Sequence, residues 1–331
     1  MIINNVVQVI DSHTMGEPTR VIVSGIPALA GNSVAEKRDY FAKNFDYIRT
    51  GVLLEPRGHS GMFISMLTEP VYKNAHIGLI FMDASGYPDM CIHATVGTVT
   101  VLIESGMITG KKPVTDVLIE TAAGFVRAQA DFDGNTVQSV TIENVPSSLL
   151  LKSANINIEG RDYLIDVVYS GNIFALVAAQ QFGIKVVKDN VHKLIDIGLK
   201  VRDICNEQLT VQYLGKNKVE QVSIYGESIH SEADAKNIVV SGKGKVDRSP
   251  CGTGTCARMT SLFFNNQLDI NQVFINEGIL GTTFKGKVIK QLENSEIPAI
   301  IPQVTASAYI IGMSSLFFSD RDPFRDGFYL I

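Results

Sequence analysis

The chain contains no apolar run near the roughly 18 residues needed to span a bilayer, so no membrane partner is expected. Charge is also scarce: 19% of the residues are ionised, against roughly 25% in ordinary soluble domains. The net charge is −5 and the pI about 5.7. This excludes the clustered basic surface that nucleic acids require, so no nucleic-acid partner is expected either. The opening residues, MIINNVVQVIDSH, lack a basic stretch and a small-residue cleavage site, from which a cytoplasmic location is expected. No segment is low in complexity. Hydrophobic residues reach 45% over 331 positions, which excludes a disordered chain and suggests about two domains with cores that need no staples.

Cysteine is sparse as well. The four, Cys91, Cys205, Cys251 and Cys256, are too few for a disulfide framework in a chain this long, and a reducing compartment keeps them as thiols. Short stretches rich in Val and Ile (VVQVI, RVIVSGI, VTIENV, VEQVSIY, NIVVSG) predict strands, bounded by Gly, Asn, Pro or Asp. Asp133-Gly134 predicts a tight turn between alternating segments. Helical periodicity is confined to about Cys91–Ser105, Val191–Leu209 and Cys251–Asn265. Pro146-Ser147-Ser148 reads as a linker.

Self-comparison is more informative. MCIHATVGTVTVLIESG aligns with PCGTGTCARMTSLFFNN at an offset of 160, placing Cys91 on Cys251, Thr95 on Thr255, Thr100 on Thr260 and Leu102 on Leu262. MGEPTRVIV from Met15 aligns with SGNIFALVA from Ser170 at an offset of 155. Two matches at similar offsets point to a duplicated unit with a cysteine at a helix start in each copy.

A thiol in that position meets unpaired backbone N–H groups and the positive end of the helix dipole, both of which favour the thiolate. Asp89 and Ser249 are candidate N-caps, and Pro250 suits a first helical turn. The small residues Gly252-Thr253-Gly254-Thr255 admit a ligand close to the backbone, where amides can hold a carboxylate. If the two halves face each other, one thiolate removes an α-proton while the opposite thiol reprotonates the other face. The amides then stabilise the charge that develops on the carboxylate. This scheme requires no metal and no cofactor. His93 and Asp247 lie where they can accept a hydrogen bond from Cys91 and Cys251. A carboxylate beside Cys251 opposes its thiolate form, whereas a histidine can take up the Cys91 proton.

Other readings of the cysteines are weaker. A lone cysteine is usually a small buried hydrophobe, and that reading is kept for Cys205 and Cys256. Zinc bound by Cys91, His93, Cys251 and Cys256 is disfavoured because these spacings are not the compact pairs of structural sites. No Gly-Lys-Ser/Thr follows CGTGT, which excludes a P-loop. A thiol hydrolase with His93 as base leaves the second cysteine and the repeat unexplained.

DRSPCGTGTCARM (Asp247–Met259) and MCIHATVG (Met90–Gly97) resemble the two signature segments of the proline racemase family, which also includes 4-hydroxyproline 2-epimerases and trans-3-hydroxy-L-proline dehydratases. GEPTRVIVSGIP, LEPRGHSGMF, GILGTTFKGKV and IPQVTASAYIIG…DPFRDGF are similar to family segments in the same order. The resemblance implies a diaminopimelate epimerase-like α/β (α+β) fold of two pseudo-symmetric domains, each a curved, mainly antiparallel sheet around a central helix. The expected halves are 1–147, completed by the tail 306–331, and 148–305. By position, Cys91 and Cys251 match the paired bases, and His93 and Asp247 their hydrogen-bond partners. Amides at Ile92, His93, Gly252 and Thr253 match the carboxylate site, and Phe63 matches a phenylalanine against the substrate ring. Cysteine at 251 argues against the dehydratase branch, which usually has threonine there. The sequence departs from the family at Ile92, where glycine is normal, and at Ser241, where proline racemases tend to carry a second ring-packing phenylalanine. Ser170 replaces the first glycine of a Gly-Gly-Asn segment, and Gln303 a common glutamate. Phe63 favours proline as substrate, and Ser241 a hydroxyproline. Proline racemase is the leading reading, 4-hydroxyproline 2-epimerase the second, and a non-catalytic binder of cyclic amino acids the alternative from another class. A homodimer is left open.

Overall fold

The computed structural model describes residues 5–293 and 296–330. The chain separates into two compact units, 1–142 with 307–331 and 143–306.

In the first unit, β1 (Asn5–Thr14) and β2 (Glu17–Ser24) form an antiparallel hairpin. The chain reverses at Met15 and Gly16, both at positive φ. After α1 (Val34–Leu53), β3 (Ile64–Thr68) runs parallel to β2, and β4 (Ile77–Met82) returns antiparallel to β3. Next come α2 (Ile92–Glu104), β5 (Val114–Thr121) parallel to β4, β6 (Gly124–Phe132) antiparallel to β5, and β7 (Val137–Glu143). The last strand of the chain, β17 (Ala308–Phe318), pairs antiparallel with β1. On β6, Val126, Ala128 and Ala130 are buried while Arg127, Gln129 and Asp131 face water, the period-2 alternation of a sheet with one wet face.

The second unit repeats this plan. β8 (Ser147–Ile158) is antiparallel to β9 (Arg161–Tyr169), which forms a hairpin with β10 (Ile173–Ala178). Gly171 at this reversal has positive φ, as Gly16 has in the first unit. After α3 (Val191–Gln208), β11 (Gln221–Gly226) runs parallel to β10, and β12 (Ala235–Ser241) lies antiparallel to β11. β13 (Lys245–Val246) and α4 (Gly252–Phe264) follow, then β14 (Phe274–Glu277) parallel to β12, β15 (Thr283–Leu292) and β16 (Ala299–Ala306). Each unit is therefore a mixed, mainly antiparallel α/β assembly built on one connectivity.

Every residue of α2 from Ile92 to Ile103 is buried. Such a helix is apolar all round and stands inside its unit rather than on it. Its threonines remain tolerable there because Thr95, Thr98 and Thr100 donate to carbonyls one turn back, at 2.7, 2.7 and 3.0 Å. Valine and threonine are weak helix formers, so packing rather than propensity holds α2. α4 is buried in the same way from Gly252 to Ala257.

Three local expectations are corrected. Ser147 is buried and begins β8, so Pro146-Ser147-Ser148 is no linker. The 20-residue α1 was not expected, because it is amphipathic, charged and broken at Phe45 (φ −135°). Its start was nonetheless written in Ser33-x-x-Glu36: Ser33 Oγ accepts the Glu36 N–H at 3.1 Å. Asp89 caps no helix. It pairs with Arg38, and Cys91 itself occupies the N-cap of α2.

Two ion pairs with buried members tie elements together. Arg20 forks onto Asp11 (2.8 and 2.9 Å) and donates to the carbonyls of Val52 and Arg57. In the second unit Lys236 meets Glu277 at 2.7 Å. Burial pushes the Glu277 carboxyl up, but hydrogen bonds from Lys236, Ser228 and the His230 N–H hold it below its ordinary value.

Candidate active site

In the first unit the chain reaches Cys91 in extended conformation (φ −151°) and turns directly into α2. The Cys91 Sγ lies 3.1 Å from His93 Nδ1, a contact in which the imidazole can give or take the proton. His93 is fixed twice. Thr14 Oγ1, on β1, donates to its carbonyl at 2.7 Å, and Phe63 meets its ring edge-on at 4.8 Å between centroids. Phe63, Cys91, Ile92 and His93 are thus brought together and are all buried. Cys91 itself is 7% exposed.

In the second unit Cys251 is the N-cap of α4, and Pro250 precedes the helix instead of lying in its first turn. Cys251 has φ +60°, a strained conformation for a residue with a side chain. Its sulfur accepts the Gly254 N–H at 3.3 Å, and Thr253 Oγ1 is 3.8 Å away. A Cβ at Gly254 would sit 3.1 Å from this sulfur and from Val239 Cγ2, so glycine is what lets the thiol fold over the helix start. Ser249 is no helix cap but a link. Its N–H and hydroxyl both donate to Asp247 Oδ1 (2.8 and 2.7 Å), while its oxygen accepts the Cys251 N–H at 3.1 Å. The Asp247 N–H in turn donates to Val239 on β12, the strand that ends in Ser241. Gly252 and Thr253 form the buried first turn of α4, and Ser170 Oγ donates to the Thr253 carbonyl at 2.8 Å.

Neither α2 nor α4 has an acidic residue in its first turn. The positive end of each dipole is therefore not offset by the helix's own side chains, which suits an anionic group. The other two thiols differ in kind. Burial pushes Cys205 up to about 12 and Cys256 further still, so both remain neutral packing residues. Among the described residues no three His, Cys, Asp or Glu side chains cluster as a metal site, and no helix is long and apolar enough to cross a membrane.

Thr14 was not singled out from the sequence, because it acts on a main-chain group, which leaves no motif to read. Ser249 was expected as a helix cap and Gly254 as one of the small residues that admit a ligand; the structure instead has Ser249 tie the Cys251 N–H to Asp247 and Gly254 donate to the Cys251 sulfur. Ser170 stood out as a departure, and its hydroxyl explains what a glycine at that position lacks.

A buried helix that opens on a cysteine recurs in each of two similar α/β units, the arrangement of the diaminopimelate epimerase-like fold. Comparison with known proteins gives the family: residues 9–329 match proline racemase, and the chain belongs to that family. It is 41% identical to a proline racemase of Clostridioides difficile over 328 residues, covering 98% of each chain. It is 35% identical to a 4-hydroxyproline 2-epimerase of Streptosporangium roseum, covering 97% of each. The crystal structure of a hydroxyproline epimerase from Agrobacterium vitis with bound trans-4-hydroxy-L-proline matches with a TM-score of 0.94 at 27% identity, covering 100% of this chain and 96% of that one.

Proposed function

We propose that this protein inverts C2 of proline, with Cys91 and Cys251 as the acid–base pair. One thiolate takes the α-proton and becomes a thiol. The other thiol gives its proton to the opposite face of the same carbon and becomes the thiolate, so the two exchange roles at each inversion. Backbone N–H groups at Ile92, His93, Gly252 and Thr253 hold the carboxylate as charge develops on it. The observation that carries this reading is the cysteine at the N-cap of a buried helix in each unit, with a polar partner set on each sulfur. Phe63, buried beside His93, supports an unsubstituted apolar ring.

A second reading, 4-hydroxyproline 2-epimerase, is favoured by Ser241. This residue is half-buried at the end of β12 and supplies a hydroxyl where a second aromatic ring would exclude one. Purified protein incubated with L-proline or with trans-4-hydroxy-L-proline in heavy water distinguishes the two. Loss of optical rotation and deuteration at C2 are expected with L-proline. Deuteration of hydroxyproline alone makes the protein the epimerase, and deuteration of neither ends both readings. Pyrrole-2-carboxylate, planar like the flattened α-carbon, is expected to compete with substrate.

A further inference from the structure

The backbone enters α2 in extended conformation at Cys91, whereas Cys251 is held at φ +60°. Strain of this kind persists only where the surroundings fix the backbone from several sides. The peptide that joins Pro250 to Cys251 is held at both of its polar groups. Its N–H donates to Ser249 Oγ at 3.1 Å. Its carbonyl accepts Asn276 Nδ2 at 3.2 Å and the Thr255 hydroxyl at 3.3 Å. The same Nδ2 donates to Thr255 Oγ1 at 2.8 Å, which sets the threonine as well. Asn276 lies on β14 and is 1% exposed. Two positions on, a Cβ at Gly278 would sit 2.7 Å from Pro250 N and 2.8 Å from the Ser249 carbonyl carbon, so the chain leaving β14 lies directly against the segment that Asn276 holds.

The first unit has no such arm. Strand register identifies the equivalent of Asn276: Ile77 pairs with Ile119 where β4 meets β5, as Ala235 pairs with Asn276 where β12 meets β14. The residues beside them agree, since Glu120 and Glu277 each accept two loop N–H groups. A buried isoleucine therefore stands where the second unit has Asn276. The threonines differ accordingly. Thr95 donates to the carbonyl of Cys91 itself at 2.7 Å, whereas Thr255 donates to the carbonyl of Pro250. Among the described residues the buried Asn276 Oδ1 meets no donor. An unsatisfied buried acceptor costs stability, and Ile119 fills the same place in the first unit without it. What distinguishes the asparagine is the grip of its Nδ2 on the peptide before Cys251. We propose that Asn276 is a positioning residue for Cys251: it fixes that peptide plane, so that the chain turns through φ +60° and brings the sulfur onto the Gly254 N–H. The part that Cys251 plays in turnover rests on the racemase reading above; the placement of its sulfur does not.

Two variants test it side by side: Asn276→Ile, which repeats Ile119, and Asn276→Ala, which adds no bulk. Each purified protein is treated with iodoacetamide at a pH of about 8, near the ordinary range of a free thiol, and alkylation of Cys251 and Cys91 is followed separately by peptide mass spectrometry. Once the Pro250 carbonyl is released, the Cys251 sulfur leaves the Gly254 N–H, a donor that favours the thiolate. The alkylation rate of Cys251 relative to that of Cys91 is expected to fall about fivefold or more, while circular dichroism shows the variants folded. In the same variants kcat for inversion is expected to fall about tenfold with KM within about twofold, the pattern of a displaced catalytic group. A relative rate equal to or above that of the wild type in a folded variant would overturn the proposal. So would loss of the fold in both variants, which would make Asn276 a structural residue. Wild-type protein that turns over neither proline nor trans-4-hydroxy-L-proline ends the racemase reading alone, because the alkylation rates are read without turnover.

Discussion

Cys91 and Cys251 lie 160 positions apart in equivalent places, and each caps a helix of thirteen residues, yet the two helix starts are built differently. At Cys91 the backbone is extended and a side chain, His93, sets the sulfur. At Cys251 the backbone is strained at positive φ and an amide, the Gly254 N–H, sets it. An imidazole can accept or release a proton, whereas an amide can only donate. The duplication kept the place of the thiol but not the means of holding it. The position equivalent to Gly254 in the first unit is Ala94, and there the sulfur turns to His93 instead.

The comparison breaks most sharply at the sulfurs. Cys91→Ser and Cys251→Ser are each expected to lower kcat by at least about 100-fold, the range of general acid–base catalysis, while binding of pyrrole-2-carboxylate persists. Full activity in either variant would leave a single working thiol and end the pairing. Gly254→Ala writes the first unit's residue into the second. The added methyl meets the Cys251 sulfur, and kcat is expected to fall about tenfold or more, as misplaced catalytic groups do, with KM changed less. The reciprocal Ala94→Gly is expected to cost about 1 kcal/mol of stability and to spare the rate. Unchanged kcat in Gly254→Ala would show that the amide does not hold the sulfur.

Smaller effects are expected one step further out. Ser170→Ala removes the donor to the Thr253 carbonyl, and Thr14→Val the donor to the His93 carbonyl. Each is expected to lose about 1 kcal/mol, read as a roughly fivefold drop in kcat/KM, with one acting on each helix start. Equal loss of thermal stability without a kinetic change would reduce both to packing. The last effect is read on stability alone and separates the helix-start cysteines from the other two. Cys205 and Cys256 titrate above their ordinary value of 9.0 when folded, Cys205 at about 12. Their burial therefore stabilises the fold fully below pH 9, and that contribution is lost as pH rises through 9 toward 12. Thermal unfolding followed across that window is expected to show a falling midpoint, less steep in a Cys205→Ala/Cys256→Ala variant.

Much of this was legible locally. The helix spans about Cys91, Val191 and Cys251 end within a residue or two of α2, α3 and α4, because their apolar periodicity runs unbroken between clear stops. The repeat was legible for a similar reason: Gly16 and Gly171 mark the same reversal in both hairpins. Helix α1 was missed because its apolar positions, Val34, Phe41, Ile48 and Val52, are diluted by charge. The caps were misassigned because Asp89 and Ser249 have the right chemistry for a helix start but spend it elsewhere. Asp89 goes to Arg38, and Ser249 to Asp247 and the Cys251 amide.

By itself the sequence determined the duplicated unit, the family and the thiol at each helix start, since residue identity, period and spacing are properties of short segments. Only the tertiary structure decided what grips those starts. Thr14 reaches His93 across 79 positions and Ser170 reaches Thr253 across 83. A hydrogen bond between such distant residues depends on how strands and helices pack, and no local pattern encodes that.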